Sequence, residues 1–148
     1  METLEQMIER HEGRMLSPYR CPAGKLSIGM GHNIDAKGLP AYIQSHLDIY
    51  HEITDGMADD LLRKDIADAE KDCRRLFRDF DSFTIPRHNA LVDFVFNVGL
   101  GTARKFKKAI AAVNRNDWAT AALEMKDSRW YRQVGARSIE ICDMVREG

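Results

Sequence analysis

The longest regular signal in the chain is a helical stripe over residues 55–78, and it limits what the remaining residues can build. Leu62, Ile66, Ala69, Cys73 and Leu76 recur at steps of four, three, four and three, which places them on one face of a helix. Thr54 stands where an N-cap hydroxyl is needed. At roughly 1.5 Å per residue such a rod spans on the order of 30 Å, enough to bridge two lobes. A chain of 148 residues, 44% hydrophobic and 30% charged, has the composition of a folded globular protein and not of a disordered one. The fold must therefore pack its other elements around the two ends of this helix.

Before the long helix, Leu4, Met7, Ile8 and His11 form an i, i+3, i+4, i+7 stripe on a first helix. Gly13 is a natural stop in the left-handed conformation. Cys21-Pro22-Ala23-Gly24 has the chemistry of a tight turn, so short strands near Tyr19–Cys21 and Leu26–Met30 make a hairpin. Residues 39–51 are expected to form a helix with Ile43, Leu47 and Tyr50 on one side. After the turn-rich Asp79–Pro86 the pattern is helical throughout. One helix carries Ala90, Leu91, Phe94, Val95 and Val98 and stops at Gly99 and Gly101; others fall near 103–114, 117–126 and 136–146. The expected class is α+β and predominantly helical. It is a single domain with a small α/β N-lobe over about 1–54, a connecting helix over about 55–78, a helical C-lobe over about 79–148, and a groove between the lobes.

Charge is uneven. Residues 1–80 carry eleven basic and fifteen acidic side chains, a net of −4, while residues 81–148 carry eleven and eight, a net of +3. A mildly basic C-terminal half attracts anionic polymers, but the sign alone does not choose among nucleic acid, cell wall and membrane surface. The cysteines Cys21, Cys73 and Cys142 are odd in number and widely spaced, against both a disulfide framework and a zinc site. No His-Glu-x-x-His or acidic calcium loop is present, so neither metal nor cofactor is expected. The start Met1-Glu2-Thr3-Leu4-Glu5 runs directly into an amphipathic pattern, and no signal peptide or membrane insertion is expected. The chain is expected to accumulate in the cytoplasm.

The most informative short stretch is Glu12-Gly13, then Cys21, then Ser27-Ile28-Gly29-Met30-Gly31-His32. It places a carboxyl, a thiol and a hydroxyl on one helix-to-hairpin unit, with glycines that let a polymer approach the backbone. This segment resembles the catalytic region of phage-type lysozymes, the endolysins of tailed phages that hydrolyse peptidoglycan. Their pattern is a glutamate, an aspartate about nine residues on, a threonine six further, and an Ile-Gly-x-Gly-His strand end. Here the glutamate is Glu12, Ser27 stands for the threonine, and Cys21 holds the aspartate position. Phe96-Asn97-Val98-Gly99, Trp118 and Ser128-Arg129-Trp130-Tyr131 through Arg137 resemble the C-lobe signatures of the same family in the same order.

The chemistry follows from the residue types. Glycoside hydrolysis needs an acid for the leaving oxygen and a second group across the sugar. Glu12 at a helix C-terminus faces the partial negative charge of the last carbonyls, and burial under a sugar pushes the same way. Cys21 has three roles open to it: a nucleophile forming a thioglycosyl intermediate, a water-orienting group, or a structural thiol. A thiol with a reference pKa of about 8.5 is mostly neutral at pH 7. Ser27 can hold a water near the anomeric carbon.

The resemblance implies substrate contacts at Gly31, His32, Phe96, Asn97 and Arg137. It also implies that His32 pairs with Asp65 and that Arg137 approaches Glu12. Trp118, Trp130 and Tyr131 are expected as helical core, and Arg104-Lys105-Phe106-Lys107-Lys108 as a solvated basic face.

The function implied is a muramidase acting as a monomer on peptidoglycan glycan strands and reaching the wall through a separate holin-type permeabiliser. A lytic transglycosylase, which needs one acid only, and a glycan-binding protein that has lost turnover are the alternatives. Nucleic-acid binding has no recognition motif behind it.

Overall fold

The computed structural model of the protein describes residues 1–148. Its elements run α1 (Leu4–Glu12), β1 (Met15–Arg20), β2 (Leu26–Gly29), β3 (His32–Asn33), α2 (Ile34–Lys37), α3 (Ala41–Tyr50), α4 (Asp55–Leu76), a 3-10 turn (Phe80–Ser82), α5 (Ile85–Ala103), α6 (Lys107–Asn114), α7 (Trp118–Lys126), α8 (Arg129–Val134) and α9 (Ala136–Glu147). This is the predominantly helical α+β class read from the sequence. The chain forms two compact units, Met1–Asp65 and Ile66–Gly148, with the boundary inside α4.

In the first unit, Thr3 and Gln6 cap α1 reciprocally, the Thr3 hydroxyl accepting from the Gln6 amide and the Gln6 side chain from the Thr3 amide. The stripe of α1 is buried at Leu4, Met7 and Ile8. Gly13 ends the helix with φ 73° and ψ 174°, a positive φ with an extended ψ, in place of the left-handed helical turn expected. The three strands form an antiparallel sheet in the order β1-β2-β3.

Strand β1 begins four residues before the expected Tyr19, and β3 was not foreseen. Two extra residues bulge out of β1 between the pairs Met15↔Gly29 and Tyr19↔Ser27. Pro18, which has no amide to give the ladder, lies in that bulge. The Leu16 carbonyl there accepts from Ile53 instead. Helix α3 buries Ile43, while Tyr50 at its C-terminal end is exposed.

Thr54 caps α4 through a 3.1 Å bond from the Met57 amide, and Leu62, Ile66, Ala69, Cys73 and Leu76 are all buried. In the second unit α7 packs on α6 and α9, and α5 on α9. Its core includes Leu91, Val95, Val113, Met125, Ile141 and Val145, each contributing about 1.5–3 kcal/mol by leaving water. Gly99, with φ 80° and ψ 161°, breaks α5 where the sequence places a stop, yet one further helical turn follows before Ala103. Helix α8 was not separated from its neighbours by the sequence pattern. No helix is long and apolar enough to cross a membrane.

Candidate active site

Glu12 is the last residue of α1, half-buried, and the backbone of Gly31 lies directly against its carboxyl group. A Cβ placed on Gly31 would come 2.7 Å from Glu12 Cδ and 3.1 Å from Cγ, and Gly31 has φ +76°. Only glycine satisfies both demands. The resemblance assigns Gly31 to substrate contact; in the structure its lack of a Cβ also leaves room for the Glu12 carboxyl.

The hairpin supplies the second set of groups. Tyr19 pairs with Ser27 across β1 and β2, and paired residues share a face of the sheet. Cys21 is two residues on from Tyr19 and so on the same face. The ladder continues past β1, because the Cys21 amide donates to the Lys25 carbonyl at 2.9 Å. The Gly24 amide closes the turn onto the Cys21 carbonyl at 2.8 Å. The Ser27 hydroxyl, 3% exposed, donates to that same Lys25 carbonyl at 3.2 Å. One carbonyl thus gathers the Cys21 backbone and the Ser27 side chain. Asp35 holds the start of β2 by accepting from the Leu26 amide at 2.9 Å. Cys21 is a free, half-buried thiol.

Tyr19 is the group the sequence reading missed. Burial raises its pKa above the ordinary phenol value, the charges of Glu12 and Cys21 raise it further, and a hydrogen bond with the Gly31 backbone partly offsets them. The phenol therefore sits among Glu12, Cys21 and Gly31 and stays protonated through neutral pH. An aromatic residue in a strand reads as packing, and only the alternation that pairs it with Ser27 would have flagged it.

His32 is 3% exposed and both ring nitrogens are engaged, Nδ1 with Asp65 Oδ2 and Nε2 with the Gly38 carbonyl, each at 2.7 Å. Lys37 Nζ reaches the other Asp65 oxygen at 3.0 Å. Burial works against a charge on His32, but Asp65 and the Gly38 carbonyl outweigh it and raise its pKa. The expected Asp65 pairing is present. Both ring nitrogens of His32 are thereby committed to partners within the protein.

The remaining candidates belong to the second unit. Phe96 and Asn97 are half-buried on α5. Asn97 Oδ1 accepts from Trp130 Nε1 at 2.8 Å, and Trp130 packs edge-on against Phe94 and Phe106. This bond orients the amide of Asn97 and leaves its NH2 aimed away from the tryptophan. Arg137 Nε and an Nη lie 2.8 and 2.7 Å from Asp93 Oδ1, and Asp93 is fully buried. The sequence reading assigned no partner to Arg137 at Asp93, because the two residues are 44 apart. No cluster of three His, Cys, Asp or Glu side chains is arranged to hold a metal.

The profile of the family described as phage lysozyme matches residues 9–142. A probable T4-type lysozyme of Dictyostelium discoideum is 27% identical over all of this chain and 96% of its own length. The pre-baseplate central spike protein Gp5 of Enterobacteria phage T4 is 26% identical over 99% of this chain, which matches 28% of that longer protein. An endolysin of Acyrthosiphon pisum secondary endosymbiont phage 1 is 29% identical over 80% of this chain and 71% of its own length.

Proposed function

The chain belongs to the phage lysozyme family, and from that premise we propose that it is a muramidase. It would hydrolyse the β-1,4 bond between N-acetylmuramic acid and N-acetylglucosamine in peptidoglycan. The observation that carries this reading is the Glu12 carboxyl seated against Gly31, beside a sheet face that bears Tyr19, Cys21 and Ser27.

Glu12 is the general acid: its proton passes to the glycosidic oxygen as the bond to the anomeric carbon breaks. Gly31 fixes where that proton is delivered, and Tyr19 remains a neutral donor beside it. Cys21 is the second group, orienting the water or attacking the anomeric carbon, and the Ser27 hydroxyl holds the water. In the second unit the Asn97 amide is suited to a sugar N-acetyl group. The protein acts as a monomer and depends on a holin-type permeabiliser to leave the cytoplasm.

The test is digestion of purified peptidoglycan by the wild type and by Glu12→Gln, Cys21→Ser and Cys21→Asp, with mass analysis of the sugar ends. Reducing N-acetylmuramic acid ends that vanish in Glu12→Gln support the muramidase. Loss in Cys21→Ser with rescue in Cys21→Asp gives the thiol a water-orienting role; a sugar adduct on Cys21 makes it the nucleophile. Anhydro ends would replace the muramidase by a lytic transglycosylase, a reading that the non-carboxyl Cys21 favours. No cleavage by folded wild type would leave glycan binding alone.

A further inference from the structure

The second unit carries a basic groove of about 430 Å³ lined by Arg78, Lys107, Ile110, Ala111, Asn114 and Arg115. Lys107, Ile110, Ala111 and Asn114 stand at i, i+3, i+4 and i+7 of α6, one continuous face of that helix. The opposite wall is Arg78, from the segment after α4. Asn114 fixes that wall: its Oδ1 accepts from the Arg78 amide at 2.9 Å and its Nδ2 donates to the Leu76 carbonyl at 3.2 Å.

Three cations thus line one depression, and little neutralises them. Arg115 has Asp117 at 3.5 Å, while neither Arg78 nor Lys107 has a carboxylate within salt-bridge distance. Between the charges the floor is aliphatic, Ile110 and Ala111, and no aromatic side chain lines the groove. Single-stranded nucleic acid is held by cations together with aromatic platforms for its bases, and that second component is missing. A chain of phosphates joined by short polyols needs only the cations and an aliphatic floor.

We propose that this groove binds the phosphodiester backbone of a polyol-phosphate wall polymer, docking the protein on the wall apart from its glycan site. The choice of a wall polymer rests on the muramidase reading; the anion chemistry rests on the groove itself.

The experiment is fluorescence anisotropy of labelled poly(glycerol phosphate) with the full chain, compared across two charge-matched variants. One is Arg78→Gln/Lys107→Gln/Arg115→Gln in the groove. The other is Arg104→Gln/Lys105→Gln/Lys108→Gln on the neighbouring exposed positions. The groove variant should weaken binding by about tenfold or more and lower the salt dependence of log Kd by about 2, at roughly 0.7 per cation lost. The neighbouring variant should change Kd by less than about threefold, since Arg104, Lys105 and Lys108 do not line the groove and exposed charges without a direct contact contribute little.

Equal weakening in both variants, absence of binding at low salt, or equally tight binding of an oligodeoxythymidylate of the same charge would each overturn the proposal. Should the groove triple not fold, Lys107→Gln against Lys108→Gln carries the same comparison. The polymer contains no glycosidic bond of the glycan. Failure here therefore leaves the muramidase reading standing, and an inactive Glu12→Gln should still bind the polymer.

Discussion

Gly31 lies against the Glu12 carboxyl and Tyr19 feels its charge, and each makes a prediction at the scale of one residue. Gly31→Ala places a Cβ inside the Glu12 carboxyl at a φ that costs an L-residue about 1–2 kcal/mol. Reducing-end release should fall by about two orders of magnitude, since a misplacement near 1 Å can cost that much. Melting should show only the modest backbone penalty; full activity in Gly31→Ala would remove Gly31 from its seating role. Tyr19→Phe deletes only the phenol hydroxyl, which lies near Glu12 and the Gly31 backbone. If Tyr19 donates to the reacting sugar, kcat falls while the melt moves little; if it only packs, both stay near wild type. Glu12 and Ser27 enter as candidates through the resemblance of Glu12-Gly13 and Ser27-Ile28-Gly29-Met30-Gly31-His32 to phage-type lysozymes. Tyr19 and Gly31 were not given these tasks, because a seating contact is a distance between segments and leaves no local signature.

Among the elements, α1 and α4 are tied through Arg14. Its guanidinium meets Glu9 at 3.0 Å, Asp55 at 3.0 Å and Asp59 at 2.7 Å, and Glu9 and Asp59 raise its pKa further. Arg14→Met should cost about 1–2 kcal/mol by thermal melting, the exposure of the partners screening the rest. The loss should shrink in high salt; a salt-independent loss would instead point to packing of the Arg14 stem.

In the second unit, Asp93→Asn removes the buried carboxylate that Arg137 Nε and Nη meet and should cost up to about 3–5 kcal/mol, whereas an apolar double replacement of both should cost less. Equal costs would show that packing, and not charge pairing, sets the value of that site. Helix α4 was readable residue by residue because its period and its Thr54 cap are local. The bulge in β1 was not, since the Leu16 carbonyl that it frees is taken by Ile53, more than thirty residues on.

For the molecule as a whole, the two units should respond differently to pH. His32 has a raised pKa in the first unit, with Asp65, the Gly38 carbonyl and Lys37 around it. Folding therefore favours its charged form. That contribution is fully present below the unfolded value of about 6.5 and is lost as pH rises through the higher folded value. Amide protection corrected for intrinsic exchange should fall with rising pH in residues 1–65 and stay flat in 66–148, and His32→Asn should abolish the slope. A uniform decline across both units would assign the effect to another group. From the sequence alone came the class of fold, the long helix and the helical second half, because periodicity and caps are properties of neighbours along the chain; the candidate site residues came from resemblance to a known family. Only the tertiary structure decided that Gly31 seats Glu12, that Tyr19 joins it, that Asp93 holds Arg137 and that Asn114 builds a basic groove. Each of these depends on burial and on contacts between residues far apart in the chain, where local pattern carries no information.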